Sequence, residues 1–237
     1  MCELPEMQKL ERGNDLVEIV KDAIFEAILT GKLVPGEKLS QDSLAEKLGV
    51  SRQPIGQALR ILLEHGIVCP LDKKSLTVVA VEPENLMKLI DIRCELDCFA
   101  AGLAAMRAQA GAFDNSDFAT LAALERLQDK YSCAETPIAF HNSVLDDIEF
   151  HRLIRKLSGN EYIQSIMAPH LLHHHRMMYI MSSNRRPLIW AEHDRILDAI
   201  KQGSVEDAKL LVRQHIRDAA QALQIEISSW SDASVSL

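Results

Sequence analysis

Three histidines and one carboxylate in the C-terminal half have the types and spacing to do chemistry together. Asp147 and His151, in Asp-Asp-Ile-Glu-Phe-His, are four residues apart. On a helix that spacing puts both side chains on one face. His193 follows in Glu-His-Asp-Arg-Ile-Leu and His215 in Val-Arg-Gln-His-Ile, each among apolar residues at core spacing. A single inward histidine is ordinarily a hydrogen-bonded core residue. Three on separate helices, joined by a carboxylate one turn before the first, point instead to one shared divalent metal ion. One carboxylate and three imidazoles suit Zn, Ni or Mn and leave coordination positions open. His170, His173, His174 and His175 crowd another stretch. Neighbouring residues of a helix point in different directions, so these four cannot share one ion; they read as pocket lining or solvated side chains.

The residues that must position this set are helical almost throughout. Helices are expected at about 84–110, 114–132, 137–158, 160–182, 186–202 and 204–229 from apolar periodicity and stop signals. The breaks fall at Gly111/Asn115, Thr136-Pro137, Ser158-Gly159-Asn160, Arg186-Pro187 and Gly203-Ser204. With no strand pattern between them, they imply an antiparallel helical bundle over 84–230. The tail from Ser231 reads as frayed.

The N-terminal third has a different rhythm. Leu16, Val20, Ile24 and Ile28, with Ile19 beside them, mark a helix that Gly31 stops, and Pro35-Gly36 marks a turn. Leu44, Ala45 and Leu48 mark a second, short helix closed by Gly49. Ser51 is placed to cap a third carrying Ile55, Ala58, Leu59, Leu62 and Leu63. Two β-rich runs, Ile67–Cys69 and Leu76–Val81, flank the polar Leu-Asp-Lys-Lys-Ser. Helix, helix, tight turn, helix and hairpin is the order of a winged helix-turn-helix over 14–81. The expected fold is therefore mainly α: an N-terminal winged helix-turn-helix plus a C-terminal antiparallel α-helical bundle.

Two stretches carry a family resemblance. Gly31-Lys-Leu-Val-Pro-Gly-Glu-Lys-Leu39, Leu44-Ala-Glu-Lys-Leu-Gly-Val-Ser-Arg52 and Ala58-Leu-Arg60 through Gly66-Ile-Val68 closely resemble the GntR family of bacterial regulators. The resemblance implies a dimer that binds a palindromic double-stranded DNA operator. Ser51, Arg52 and Gln53 would open the recognition helix, the part that meets base edges and phosphates. Arg52 is the leading contact, and Lys73 and Lys74 on the wing would meet phosphates. Three departures weaken the usual operator chemistry. Asp42 and Gly56 stand where the family commonly has arginines, and the wing tip is Lys73-Lys74-Ser75 without a glycine. Gly56 inside a helix also costs about 1 kcal/mol relative to alanine. DNA binding with altered sequence preference is expected.

Arg93-x-x-Leu96-Asp97-x-x-Ala100-Ala101, Asp147-x-x-x-His151, His193 and His215 resemble the C-terminal domain of the fatty-acid-responsive (FCD) branch of that family. The resemblance implies Asp147, His151, His193 and His215 as metal ligands. It also implies a small organic acid effector on the open positions, its other end clamped by Arg93; Asn160 and Arg176 are further candidates. A structural salt bridge from Arg93 to Asp91, Glu95 or Asp97 is the alternative.

Composition agrees with this reading. Net charge is −8, but Val50 to Ala80 holds Arg52, Arg60, Lys73 and Lys74 against Glu64 and Asp72. A local basic footprint within an acidic chain suits one DNA-reading domain and one that never touches DNA. No apolar run reaches the roughly 18 residues a bilayer span needs, and the first fifteen residues lack an apolar signal core, so a cytoplasmic, non-membrane protein is expected. The five cysteines, Cys2, Cys69, Cys94, Cys98 and Cys133, are scattered. Cys94 and Cys98, spaced i,i+4, could face each other, though helical packing explains that spacing equally well. Two other functions compete with the regulator. A metal hydrolase would need a general base beside the ligands, and neither that nor a His-Glu-x-x-His motif is present. A bundle used only for dimerisation around a structural metal would have a closed four-ligand site with no cavity.

Overall fold

Val20, Ile24 and Ile28 recur once per helical turn, and with Phe25 they are the buried face of helix α1 (Asn14–Leu29); Leu16 and Ile19 are exposed. In this computed structural model the described residues are 14–72, 75–132, 140–180 and 186–233. Lys73, Lys74, Cys2, Cys133, the Thr136-Pro137 break and the residues after Ala233 lie outside them. The chain divides into two compact units between Ala80 and Val81.

In the first unit α1 packs on α3 (Arg52–Glu64), whose Ile55, Ala58, Leu59 and Leu62 are buried. Helix α2 (Gln41–Leu48) ends on Gly49 at φ +66°, with Val50 N donating to Ala45 O and Gly49 N to Glu46 O. This is the paired-bond stop that a left-handed glycine permits, and it makes the sharp corner between the two helices. Ser51 occupies the cap position of α3, yet its side chain makes no capping bond. The third residue of the helix is Pro54, which has no N–H to give it. Strands β1 (Val68–Pro70) and β2 (Leu76–Val78) pair antiparallel with Val68 opposite Val78. The α1–α2 connection joins them through bridges Pro35 to Val78 and Leu39 to Leu76. Sequence periodicity had marked only a turn there.

In the second unit α4 (Pro83–Gln109) runs beside α10 (Val205–Ala233). Glu95 pairs with Arg213, Gly102 meets Lys209 and Gln109 meets Gly203, so the two helices are antiparallel. Ala100, Ala101, Ala104 and Ala105 are completely buried along α4. Around this pair stand α5 (Asn115–Ser132), α6 (Phe140–Leu157) and α9 (Arg186–Lys201). The stretch expected as one helix over 160–182 is broken. It forms α7 (Glu161–Met167), a 3₁₀ turn at Ala168–His170, and α8 (Leu171–Ile180). Pro169 lacks an N–H and its ring clashes with the carbonyl one turn back, so the α-helix cannot pass through it. Helix α10 reaches Ala233, beyond the expected fraying point.

The turn into α10 generates a test. Gly203 (φ +70°) abuts α4, and a Cβ there would lie 2.7 Å from Gln109 Cβ and 2.9 Å from Gln109 Cα. Gly111 has φ +61° and open space around it. Gly111→Ala should cost only the left-handed penalty, about 1–2 kcal/mol. Gly203→Ala should cost clearly more, because backbone must move. Urea midpoints of the two variants measure the difference.

Candidate metal centre and DNA-reading surface

Helix α6 turns Asp147 and His151 inward because Val144, Ile148, Phe150, Leu153, Ile154 and Leu157 bury most of its circumference. Helix α9 sets His193 beside Ile196, Leu197 and Ile200, and α10 sets His215 beside Val212, Ile216 and Ala219. The four residues the sequence singled out converge. One donor atom from each lies within 4.8 Å of all the others, and all four residues are buried. His151 Nε2 is 3.2 Å from His215 Nε2, and His193 Nε2 is 3.4 Å from Asp147 Oδ1. The His193 ring stacks on Phe150, centroids 3.9 Å apart.

The outward nitrogens of two rings face carboxylates. His215 Nδ1 is 2.7 Å from Glu192 Oε2, and His151 Nδ1 is 3.6 Å from Asp97 Oδ2. A carboxylate behind an imidazole fixes its orientation and leaves Nε2 free to ligate. Asp97 also accepts from Arg93 Nε at 3.2 Å and from Arg155 Nη1 at 2.7 Å. Arg155 is almost wholly buried and donates through Nε to Gln164 at 3.0 Å. Arg155 and Glu192 escaped sequence reasoning. Glu192 pairs across helices, and Arg155 sits in a basic last turn of α6 that reads as solvated. Asp97 was visible only as a possible partner of Arg93. Of the three acids weighed, it is the one that pairs, whereas Glu95 turns to Arg213.

Several buried polar atoms have no hydrogen bond: both oxygens of Asp147, both nitrogens of His193, Arg93 Nη2, Arg155 Nη2 and His174 Nε2. Burial pushes the Asp147 carboxyl above its ordinary range, against the pull of His215 and Arg93. Burial, aided by the Arg93 charge, holds His151, His174 and His193 well below the usual imidazole range. These rings are therefore neutral, the form that ligates. A buried carboxylate without a partner is costly, and a divalent cation is the group that would satisfy it and the three imidazoles together. The donor set thus fits such an ion.

Arg93, His170, His173 and His174 line a narrow cavity of about 20 Å³ together with Met167 and Met177. So three of the four crowded histidines are pocket lining. Asn160 caps α7 through Tyr162 N at 3.2 Å. Arg176 is buried on α8, two residues past His174, and does not line that cavity.

In the first unit Ser51, Arg52 and Gln53 are all exposed at the start of α3. Arg52 forms an ion pair with Asp42 of α2. Gly56 faces Gln41, whose Oε1 would lie 3.6 Å from an added Cβ, an ordinary contact distance.

Residues 16–78 match the model for bacterial regulatory proteins of the gntR family, and residues 88–218 match the FCD domain. The chain is 27% identical over 205 residues to YdhC, an uncharacterized HTH-type transcriptional regulator of Bacillus subtilis, covering 83% of this chain and 86% of that protein. It is 26% identical over 202 residues to a Paenarthrobacter nicotinovorans protein named "Probable D-xylose utilization operon transcriptional repressor", covering 83% and 84%. Among solved structures, a GntR transcriptional regulator from Rhodococcus sp. RHA1 superposes with a TM-score of 0.65 at 23% identity, over 89% of this chain and 98% of that one. E. coli McbR/YncC superposes with a TM-score of 0.61 at 21% identity, over 91% and 98%. At such identities the structural likeness carries the fold. The named relatives are transcription regulators rather than enzymes, which removes the hydrolase alternative. No helix among the described residues is long and apolar enough to cross a membrane. The chain belongs to the GntR family of bacterial regulatory proteins, and it is a DNA-binding transcription regulator with an N-terminal GntR helix-turn-helix domain and a C-terminal FCD domain.

Proposed function

We propose that this regulator is a cytoplasmic, homodimeric repressor whose helical domain holds a divalent metal and a small carboxylate effector that alters operator binding. The observation that carries the reading is the buried set Asp147, His151, His193 and His215, with the oxygens of Asp147 unpaired. Zn, Ni and Mn all suit one carboxylate and three imidazoles. A bound ion would neutralise Asp147 and offer open positions to an anionic oxygen. Arg93 keeps its Nη2 unpaired while its Nε is held by Asp97, so one edge of the guanidinium is oriented and the other is free to take a carboxylate. His174, with Nε2 unpaired in the same cavity, is a second donor. The cavity of about 20 Å³ has room for one water, so an acid enters only as the lining moves. Met167 and Met177, flexible lining residues, would shift to admit it. Ser51, Arg52 and Gln53, with Lys73 and Lys74, are the operator contacts in this reading. The repressor assignment is carried over from the Paenarthrobacter relative's name.

The homodimer rests on a stripe along α4. Leu89, Ile92, Leu96, Phe99, Leu103 and Met106 follow alternating three- and four-residue spacing, and Ile92, Phe99 and Met106 are each at least half exposed. That spacing is the seam by which a helix packs along a second helix, and we assign it to the same helix of a second copy.

Three outcomes follow. Purified protein should carry roughly one divalent ion per chain, as a single four-ligand site demands, and His193→Ala and His215→Ala should each lose it. Unchanged metal content in both variants by elemental analysis would remove the shared site. A short organic acid at about 100 times its Kd should stabilise the protein by about 2.7 kcal/mol. Arg93→Met should abolish that increment whatever its own starting stability, and a panel of acids without any thermal shift argues against an effector site. Phe99→Glu should convert the dimer to monomer in analytical ultracentrifugation and weaken binding to a palindromic operator; a dimer of unchanged affinity would place the interface elsewhere.

A further inference from the structure

Cys94 and Cys98 lie one turn apart on α4, which packs against α10. Both are free and buried, at 6% and 2% exposure. Four residues apart on one helix, their side chains share a face. Cys94 lines a groove of about 400 Å³ between α4 and α10, with Met87, Ile90, Ile216, Arg217 and Ala220 among its walls. Two free thiols on one face of a helix, one of them on the wall of a roomy groove, exceed what packing of small apolar residues requires.

Helix geometry decides what the pair can do. Side chains four residues apart on a helix have Cβ atoms about 5–6 Å apart. A disulfide needs about 3.5–4.5 Å, so a direct S–S bond would distort α4. A single bridging atom between the sulfurs has no such requirement. We propose that Cys94 and Cys98 form a bidentate dithiol site for a thiophilic atom bonded to both sulfurs, and that trivalent arsenic, entering by the α4–α10 groove, is the ligand it fits. With a monosubstituted arsenoxide, two As–S bonds form and the As–O bond breaks. Both thiol protons leave with the oxygen as water, arsenic stays trivalent, and nothing is oxidised. The surroundings favour the first bond. The neighbouring Cys98 thiol lowers the Cys94 thiol to about 7 despite its burial, and the guanidiniums of Arg213 and Arg217 act in the same direction. The Cys98 thiol is raised, first by its Cys94 neighbour and then by burial, so it reacts second, as the intramolecular partner.

Phenylarsine oxide added to the full-length protein in excess glutathione tests this. One phenylarsenic group per chain is expected, with loss of water, stable to the monothiol and removed by ethanedithiol. Alkylation mapping of that adduct should spare Cys94 and Cys98, a readout that needs no variant to fold. Cys94→Ala and Cys98→Ala should each weaken retention about 10²-fold or more, the gain normally made when a second bond becomes intramolecular. The site is overturned if both cysteines alkylate freely in the adduct, or if either variant retains the group undiminished. A Cys94–Cys98 disulfide formed readily with diamide would equally overturn the one-atom bridge.

Discussion

A carboxylate and three imidazoles meet in the buried interior of the helical unit. Asp147 is almost fully buried with neither oxygen hydrogen-bonded. In a low-dielectric interior such a group cannot stay ionised without opposite charge close by. Burial keeps His151 and His193 unprotonated. Arg93 and Arg155, whose charges act on Asp147, are both tied to Asp97. The cluster therefore gathers donor atoms within 4.8 Å of one another, with ion pairs of Asp97 and Glu192 behind two of its rings. Four helices, α4, α6, α9 and α10, are fixed relative to one another by this set, which makes the interior sensitive to what binds there.

Asp97 is the hinge of the arrangement. It holds one edge of Arg93, anchors Arg155 and stands behind His151. Arg155 in turn reaches Gln164 of α7, just before the helix breaks at Pro169. The break redirects the chain so that His170 and His174 come to line the Arg93 cavity. The proline and the buried arginine thus explain why a segment read as one long helix is two, and why the histidines after the break turn toward the site.

The DNA-reading unit shows a similar interplay of charge and backbone. Gly49 ends α2 in the left-handed region and makes the corner that presents the start of α3. Pro54 pre-sets the backbone of the first turn but leaves the Ser51 hydroxyl without a capping partner. That hydroxyl is exposed beside Arg52. Arg52 itself is held by Asp42, the residue that replaces an arginine common in the family. An exposed ion pair of this kind is worth little to folding in isolation.

Much of this was legible before any coordinates. Helical periodicity, left-handed glycines and the i,i+4 pair Asp147/His151 are local properties, and local geometry alone placed two candidate ligands on one face and helix α3 after its turn. The family motifs extended that to His193 and His215. Three-dimensional packing decided the rest. Which acid pairs with Arg93, that Arg155 is buried rather than solvated, that Glu192 stands behind His215, and that the α1–α2 connection joins the hairpin all depend on contacts between distant segments. Periodicity says which face of a helix is buried. It does not say what that face meets, because the partner is chosen by the tertiary fold, and desolvation at that meeting point sets the charge state on which the chemistry rests.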